Sequence, residues 1–279
     1  MDINKPAGKR AVNCPGCNHA WNGRTDRIGE STLLVCSRCQ LRFCNPAELA
    51  GVDYDEVYES ESYREYIDSL ERTAWRKLAK FITYRPFFLK VPRAARSKLL
   101  DIGCGVGLFC RAAYAKGWDV KGIDISGVAV AKGARTAPFP LLNATAEDFI
   151  KSGEQFDAVT AFEVLEHIIS PLDFLNKASA LVKKGGIFFC TVPNIESHSV
   201  RTATRRDWLP PIHVLFFNQA ALHQILIRSG FTGVQSGVIW ADKRPSLPGL
   251  EFFIYCLKKS LGRTKEPDPV GLWALGVKL

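Results

Sequence analysis

Leu99-Leu100-Asp101-Ile102-Gly103-Cys104-Gly105-Val106-Gly107 is the stretch that decides the fold. It reads as a buried strand running into a glycine-rich turn. Leu108 to Lys116 follow with helical spacing, Leu108, Ala112 and Ala115 sharing one face. Glycines at 103, 105 and 107 let the backbone bend sharply and let a ligand approach without meeting a Cβ. The helix after them aims its first N–H groups back at the turn. Together these make a cofactor cradle at the carboxyl end of a first strand. A dinucleotide fingerprint requires a third glycine at position 108, which is Leu here. A second acid belongs to the cradle: Lys121-Gly122-Ile123-Asp124-Ile125-Ser126 reads as a second strand ending in Asp124, a carboxylate placed to accept both ribose hydroxyls. A nicotinamide site would share that acid but not the glycine spacing, and a bare βα turn would need neither.

The Asp-x-Gly-x-Gly-x-Gly pattern of Asp101 to Gly107 resembles motif I of the class I S-adenosylmethionine-dependent methyltransferases. Downstream, the strand Phe156–Phe162 leads into Glu163-Val164-Leu165-Glu166-His167. That run is similar to the ubiquinone-biosynthesis O-methyltransferases, in which Glu-x-Leu-Glu-His follows strand four. His213-x-x-x-Phe217 is also common among those relatives. The resemblance covers residues 97–240. It implies an α/β, Rossmann-like sheet of seven mostly parallel strands in the order 3-2-1-4-5-7-6, with S-adenosylmethionine as cofactor. It implies cofactor contacts from Asp101, Gly103, Cys104, Gly105, Gly107, Asp124, Ile125, Ala146, Glu147 and Phe162. Thr145 stands where relatives often carry an Asp for the adenine amine, which leaves that contact to backbone or to Glu147. Neither the Asn/Asp-Pro-Pro-Tyr/Phe motif of base-amino methylation nor a cysteine at the end of strand four is present.

The surrounding chain alternates strand and helix, as in a parallel sheet covered on both faces. A helix from Val128 to Arg135 precedes a strand at Phe139–Asn143. Pro171 to Val182 reads as a helix stopped by Lys183-Lys184-Gly185-Gly186, the glycines as its C-cap. Ile187–Val192 is the fifth strand and Val234–Trp240 the sixth. Leu272–Val277 is the last, inserted antiparallel between them. Asn218 caps the helix that follows it. The polar connection Pro193–Pro211 holds Arg201, Arg205 and Arg206, and the resemblance implies that it helps cover the substrate. Leu250 to Leu261 reads as an apolar helix with Lys258 and Lys259 at its end, packed on the sheet or, alternatively, touching a membrane or a partner subunit. Tyr63, Ile67, Leu70, Trp75, Leu78 and Phe81 recur at helical intervals, with Pro86 and Pro92 ending or kinking the run. In the relatives such helices form a lid.

Residues 11–46 read as a separate unit. Cys14-Pro15-Gly16-Cys17 and Cys36-Ser37-Arg38-Cys39 give two C-x2-C knuckles eighteen residues apart. Four thiolates at this spacing close a tetrahedron around a structural zinc and leave no open position for chemistry. His19 and Cys44 lie near enough in sequence to be rival ligands. The predicted organisation is therefore a zinc-ribbon-like module over 1–50, linker and lid helices over 51–96, and a methyltransferase domain over 97–279.

Methyl transfer to a hydroxyl needs a base, and histidine titrates in the working range. His167, after the fourth strand, and His213, after the covering loop, both qualify by position. Glu163 and Glu166 would orient His167 or bind a divalent metal. The chain of 279 residues is 47% apolar and carries a formal charge of +9, which favours anionic partners without choosing among them. No apolar run reaches a membrane span and Met1–Pro6 lacks a signal-peptide core, so a cytoplasmic protein is expected. A zinc ribbon ahead of such a domain resembles bacterial methyltransferases of secondary-metabolite and surface-polysaccharide pathways, which implies a methyltransferase acting on a small-molecule acceptor of that type, at oxygen, with carbon or nitrogen left open. A macromolecular acceptor gripped by the zinc module, nucleic acid included, and a non-catalytic cofactor-binding scaffold stay open. The oligomeric state is not legible.

Overall fold

A computed structural model of the chain describes residues 12–52, 56, 60–72, 83–91, 97–202, 209–241 and 268–279. Its main sheet uses β4 (Lys98–Ile102), β5 (Asp119–Asp124), β6 (Leu141–Asn143), β7 (Phe156–Phe162), β8 (Val182–Pro193), β10 (Thr232–Ala241) and β11 (Asp268–Val277). These lie in the order β10-β11-β8-β7-β4-β5-β6, which is the 3-2-1-4-5-7-6 order read from the other edge. The pairs among β6, β5, β4, β7 and β8 are parallel. Only β11 runs against its neighbours, pairing with β8 on one side and β10 on the other. Its Leu272 and Ala274 are fully buried, so this final strand is core.

Alternation along each strand separates two apolar layers. Leu99, Ala158, Phe162, Phe189 and Leu275 join one layer with Phe87, Phe109 and Trp118. Leu100, Ile102, Val159, Ala161, Phe188 and Leu272 join the other. Helices Leu108–Ala115, Gly127–Ala134, Ala146–Ser152, Pro171–Leu181 and Gln219–Arg228 fill the crossovers. The last begins at Asn218, whose side chain accepts from the Ala221 N–H at 2.9 Å.

The lysine–glycine run after residue 182 does not cap a helix. The helix ends at Leu181 and the chain enters β8 directly. Lys183 pairs with Asp157 at 2.7 Å, and Gly185 and Gly186 exchange backbone hydrogen bonds with Lys278 at 2.8 and 3.0 Å. Sheet edges thus claim the groups a C-cap would use. Residues 83–90 are helical through Pro86, so that proline does not end the helix. Helix Glu61–Arg72 sets Tyr63 and Ile67 on Val106 and Ala129, and Asp68 pairs with Lys132, which lays it beside the glycine turn. Trp75, Leu78, Phe81, Pro92, Arg205, Arg206, the run Leu250–Leu261 and the side chain of Leu70 lie outside the described residues.

A second sheet holds β1 (Thr25–Ile28), β2 (Ser31–Val35), β3 (Arg42–Phe43) and β9 (Leu215–Phe216), in that order. Its fourth strand therefore comes from the methyltransferase-like part of the chain, in the register Arg42↔Phe216 and Phe43↔Leu215. The four knuckle cysteines share one apolar cluster with Leu222, Ile225 and Leu226. Among the described residues, no helix is long and apolar enough to cross a membrane.

Candidate active site

The cradle forms where β4 and β5 end side by side. Gly103 and Cys104 donate backbone N–H bonds to the Ile123 carbonyl at 2.8 and 3.0 Å. Asp124 then fixes the turn: its Oδ2 accepts from Gly105 N at 2.7 Å and its Oδ1 from Ser126 N at 2.8 Å. Burial raises the Asp124 carboxyl, and these two donors oppose that rise. A carboxylate has about four acceptor sites, so two bonds leave capacity for a vicinal diol. Gly103 and Gly105 are both left-handed, at φ 74° and 53°, but for different reasons. A Cβ on Gly103 would stand 2.5 Å from the Val164 side chain, whereas one on Gly105 meets nothing within 4 Å. The open space beside Gly105 fits a nucleoside approaching the backbone.

Ile125, next to Asp124, is 58% exposed, an apolar face at a strand tip that suits a stacked base. Asn143 holds this corner by donating to the Asp124 and Ile125 carbonyls at 3.0 and 2.9 Å. Thr145 is committed to a capping box with Asp148. Glu147 pairs with Lys177, which holds its carboxyl below the usual range, and Ala146 is buried at the start of the helix. Asp101 is buried beneath the turn, its Oδ1 accepting from Thr160 at 2.7 Å. Cys104 is buried and its thiol is directed to the Gly105 carbonyl. Phe162 lies in an aromatic cluster, 4.2 Å from Phe109 and 4.9 Å from Tyr84 between ring centroids.

The candidate chemistry sits at the tip of β7. Glu163 takes a left-handed backbone at φ 56°, a conformation that costs a non-glycine residue on the order of 1 kcal/mol. Thr191 on β8 holds it twice. The Glu163 N–H donates to the Thr191 carbonyl at 3.0 Å, and the Thr191 hydroxyl donates to Glu163 Oε1 at 2.8 Å. The turn Leu165–His167 follows. His167 Nδ1 lies 2.9 Å from the Ile212 carbonyl, and a carbonyl only accepts, so Nδ1 carries a proton and, in a neutral ring, Nε2 is the basic nitrogen. Buried Glu166 places Oε1 4.0 Å from Nε2. The His213 ring stands edge-on to His167 with centroids 4.7 Å apart. Donor atoms of Glu166, His167 and His213 lie within 4.8 Å of one another.

The two histidines differ in environment. Burial, and secondarily the His167 ring, holds His213 down at about 3. Unfolding returns it to about 6.5, so between these values the unfolded chain binds the extra proton. The stability gained by burying a neutral ring is complete above about pH 6.5 and is lost as pH falls toward 3. Urea denaturation from pH 7 to pH 4 should show a loss on the order of 3 kcal/mol from this group. His213→Gln should flatten that part of the profile; an unchanged slope would place the acid sensitivity elsewhere.

In the N-terminal module, Cys14 Sγ lies 3.5 Å from Cys39 Sγ and Cys17 Sγ 3.5 Å from Cys36 Sγ, with all four within 4.8 Å. Zinc–sulfur bonds of about 2.3 Å set sulfurs about 3.8 Å apart in a tetrahedron, a spacing inside that range. The hydrogen bond from Cys14 lowers the Cys39 thiol and raises that of Cys14, so the two sulfurs share a proton in the absence of a metal. Neither His19 nor Cys44 joins the group. Asn143, Thr191 and Thr160 escape the sequence reading because each acts across the sheet, and Cys44, read there as a rival ligand, instead directs its thiol to the His213 carbonyl.

Comparison with known proteins agrees with this geometry. A family model described as a methyltransferase domain matches residues 63–236. A ubiquinone biosynthesis O-methyltransferase of Cereibacter sphaeroides is 39% identical over 125 residues, which cover 40% of this chain and 48% of that protein. The chain thus spans about half the length of the curated relatives it matches. Among solved structures, a SAM-dependent methyltransferase from Archaeoglobus fulgidus superposes with a TM-score of 0.52 at 20% identity, covering 81% of this chain and 98% of the other. The plantazolicin methyltransferase BamL, solved with a triazolic desmethylPZN analog and SAH, gives 0.56 at 17% identity, covering 81% and 94%. With its family model matched over more than half its length, and the expected strand order and glycine turn in place, this chain belongs to the methyltransferase-domain family.

Proposed function

We propose that this chain transfers a methyl group from S-adenosylmethionine to a hydroxyl of a small-molecule acceptor, with His167 taking the acceptor's proton. The observation that carries this reading is the meeting of two devices at adjacent strand tips. The Asp124-anchored glycine turn lies at β4 and β5, and a histidine with a defined tautomer lies just beyond β7. When bound, the cofactor supplies an electrophilic methyl carbon on a sulfonium. Asp124 would hold the ribose, the backbone around Gly105 would face the amino-acid portion, and Ile125 would cover one base face. Their task is to align donor and acceptor, and alignment of this kind is worth on the order of 7–11 kcal/mol.

His167 Nε2 accepts the acceptor's proton as oxygen attacks, while the Ile212 carbonyl keeps Nδ1 protonated. The Glu166 carboxylate, 4.0 Å from Nε2, favours the imidazolium that results. His213, held at about 3, is too weak a base for this role and serves as the neutral wall against which His167 packs. Relatives named for ubiquinone biosynthesis support a small acceptor and methylation at oxygen. The secondary-metabolite or saccharide character of the acceptor rests on the sequence resemblance. In the same reading, Cys14, Cys17, Cys36 and Cys39 hold a structural zinc.

His167→Ala should lower methyl transfer from radiolabelled cofactor to a small-metabolite acceptor pool by about 10²- to 10⁴-fold. Calorimetric affinity for S-adenosylhomocysteine should stay unchanged. Undiminished transfer would remove His167 as the base, and label appearing in RNA or protein would favour a macromolecular acceptor.

A further inference from the structure

The segment carrying His213 is stitched on both sides. Toward the histidine turn, the Ile212 carbonyl accepts from His167 Nδ1, and Val214 N donates to the Glu166 carbonyl at 2.8 Å. Toward the cysteine module, Cys44 N donates to the Val214 carbonyl at 3.0 Å and the Cys44 thiol to the His213 carbonyl at 3.7 Å. Strands β3 and β9 continue this seam. Burial pushes the Cys44 thiol up to about 12, so the S–H donor persists at neutral pH. A second latch joins the module to helix His198–Arg201, at the other end of the same connection. Asp26 accepts two bonds from Arg201, both at 3.1 Å, and one from Arg42 Nε at 2.6 Å.

We propose that the four-cysteine module supports the acceptor site from behind segment 212–216. Cys44 is a positioning residue that holds this segment directly, and the Asp26–Arg201 latch fixes the module that carries Cys44; through the Ile212 carbonyl they set the tautomer of His167. This rests on the reading of His167 as the proton acceptor. The proton of a neutral imidazole is placed by the partner that its other nitrogen finds. A small drift of Ile212 would therefore free Nδ1 and let Nε2 carry the proton, which removes the lone pair facing the acceptor. An appendage used only for docking would not need to thread its edge strand into this seam, nor share its apolar cluster with the domain.

The test uses the full chain with nitrogen-15-labelled histidine and needs no acceptor. Long-range nitrogen–proton spectra report each ring's tautomer, with His167 assigned by loss of its signals in His167→Gln. The unmodified protein should show His167 protonated at Nδ1. Cys44→Ala and Arg201→Met should each mix the two tautomers and speed hydrogen exchange at the Val214 amide by about tenfold. Affinity for S-adenosylhomocysteine and the thiol reactivity of the knuckles should not change. Cys44→Ser restores a donor and should recover most of the original pattern. Arg201 is 40% exposed, so Arg201→Met decides the matter if Cys44→Ala fails to fold. An unmixed tautomer with unchanged Val214 exchange, in variants that keep the knuckles intact, would overturn the proposal. A His167→Ala enzyme that still turned over would defeat the base assignment alone, because the tautomer measurement does not depend on it.

Discussion

Asp124→Ala is expected to weaken binding of S-adenosylhomocysteine by at least about 100-fold, the equivalent of about 2.8 kcal/mol. The substitution removes more than a ribose acceptor. Gly105 N at 2.7 Å and Ser126 N at 2.8 Å lose their shared partner, so the cradle loosens as the ligand contact disappears. Bonds to a charged acceptor are worth about 1.5–3 kcal/mol each, and a buried donor left alone costs about as much. Asp124→Asn should fall between the two, since its amide oxygen can serve one donor while its NH₂ faces the other. Isothermal calorimetry on folded protein measures the effect. Near-native affinity in Asp124→Ala would mean that the nucleoside lies elsewhere.

The second large effect is expected at the knuckles. Cys36→Ser should abolish stoichiometric metal, read as about one zinc per chain by elemental analysis in the parent protein, and should lower the thermal midpoint by more than about 10 °C. Structural zinc supplies on the order of 10–16 kcal/mol of apparent binding free energy to small modules at neutral pH. Here the four cysteines pack in the same cluster as Leu222 and Leu226, so loss of the module exposes part of the domain's own core. The variant should therefore be less soluble as well as metal-free. A Cys36→Ser protein that melted like the parent would show that apolar contacts alone sustain the module.

Legibility followed the range of the interactions. Asp101 to Gly107 and Asp124 were readable because a strand, a turn and a strand-end acid each occupy a short run with its own periodicity. The order of the seven strands followed from the family resemblance and the alternation of elements. What escaped depends on partners remote in sequence. Strands β3 and β9 hold two residues each, and all five parallel strands of the main sheet lie between them in sequence, so neither leaves a periodic trace. Glu163 gave no sign of its left-handed backbone, because that strain is imposed by the double hold from Thr191. Lys183 to Gly186 carried a C-cap signature that the neighbouring strand ends overrode. The contrast between His167 and His213 rests on burial and on the Ile212 carbonyl, neither of which the local sequence carries.

The pairing of Phe43 with Leu215 also bears on how the chain matures during synthesis. The cysteine knuckles are translated before residues 215 and 216, so the edge of β3 stays bare in the interval. Until then the nascent chain carries an open β edge that a chaperone or a neighbouring polypeptide could engage.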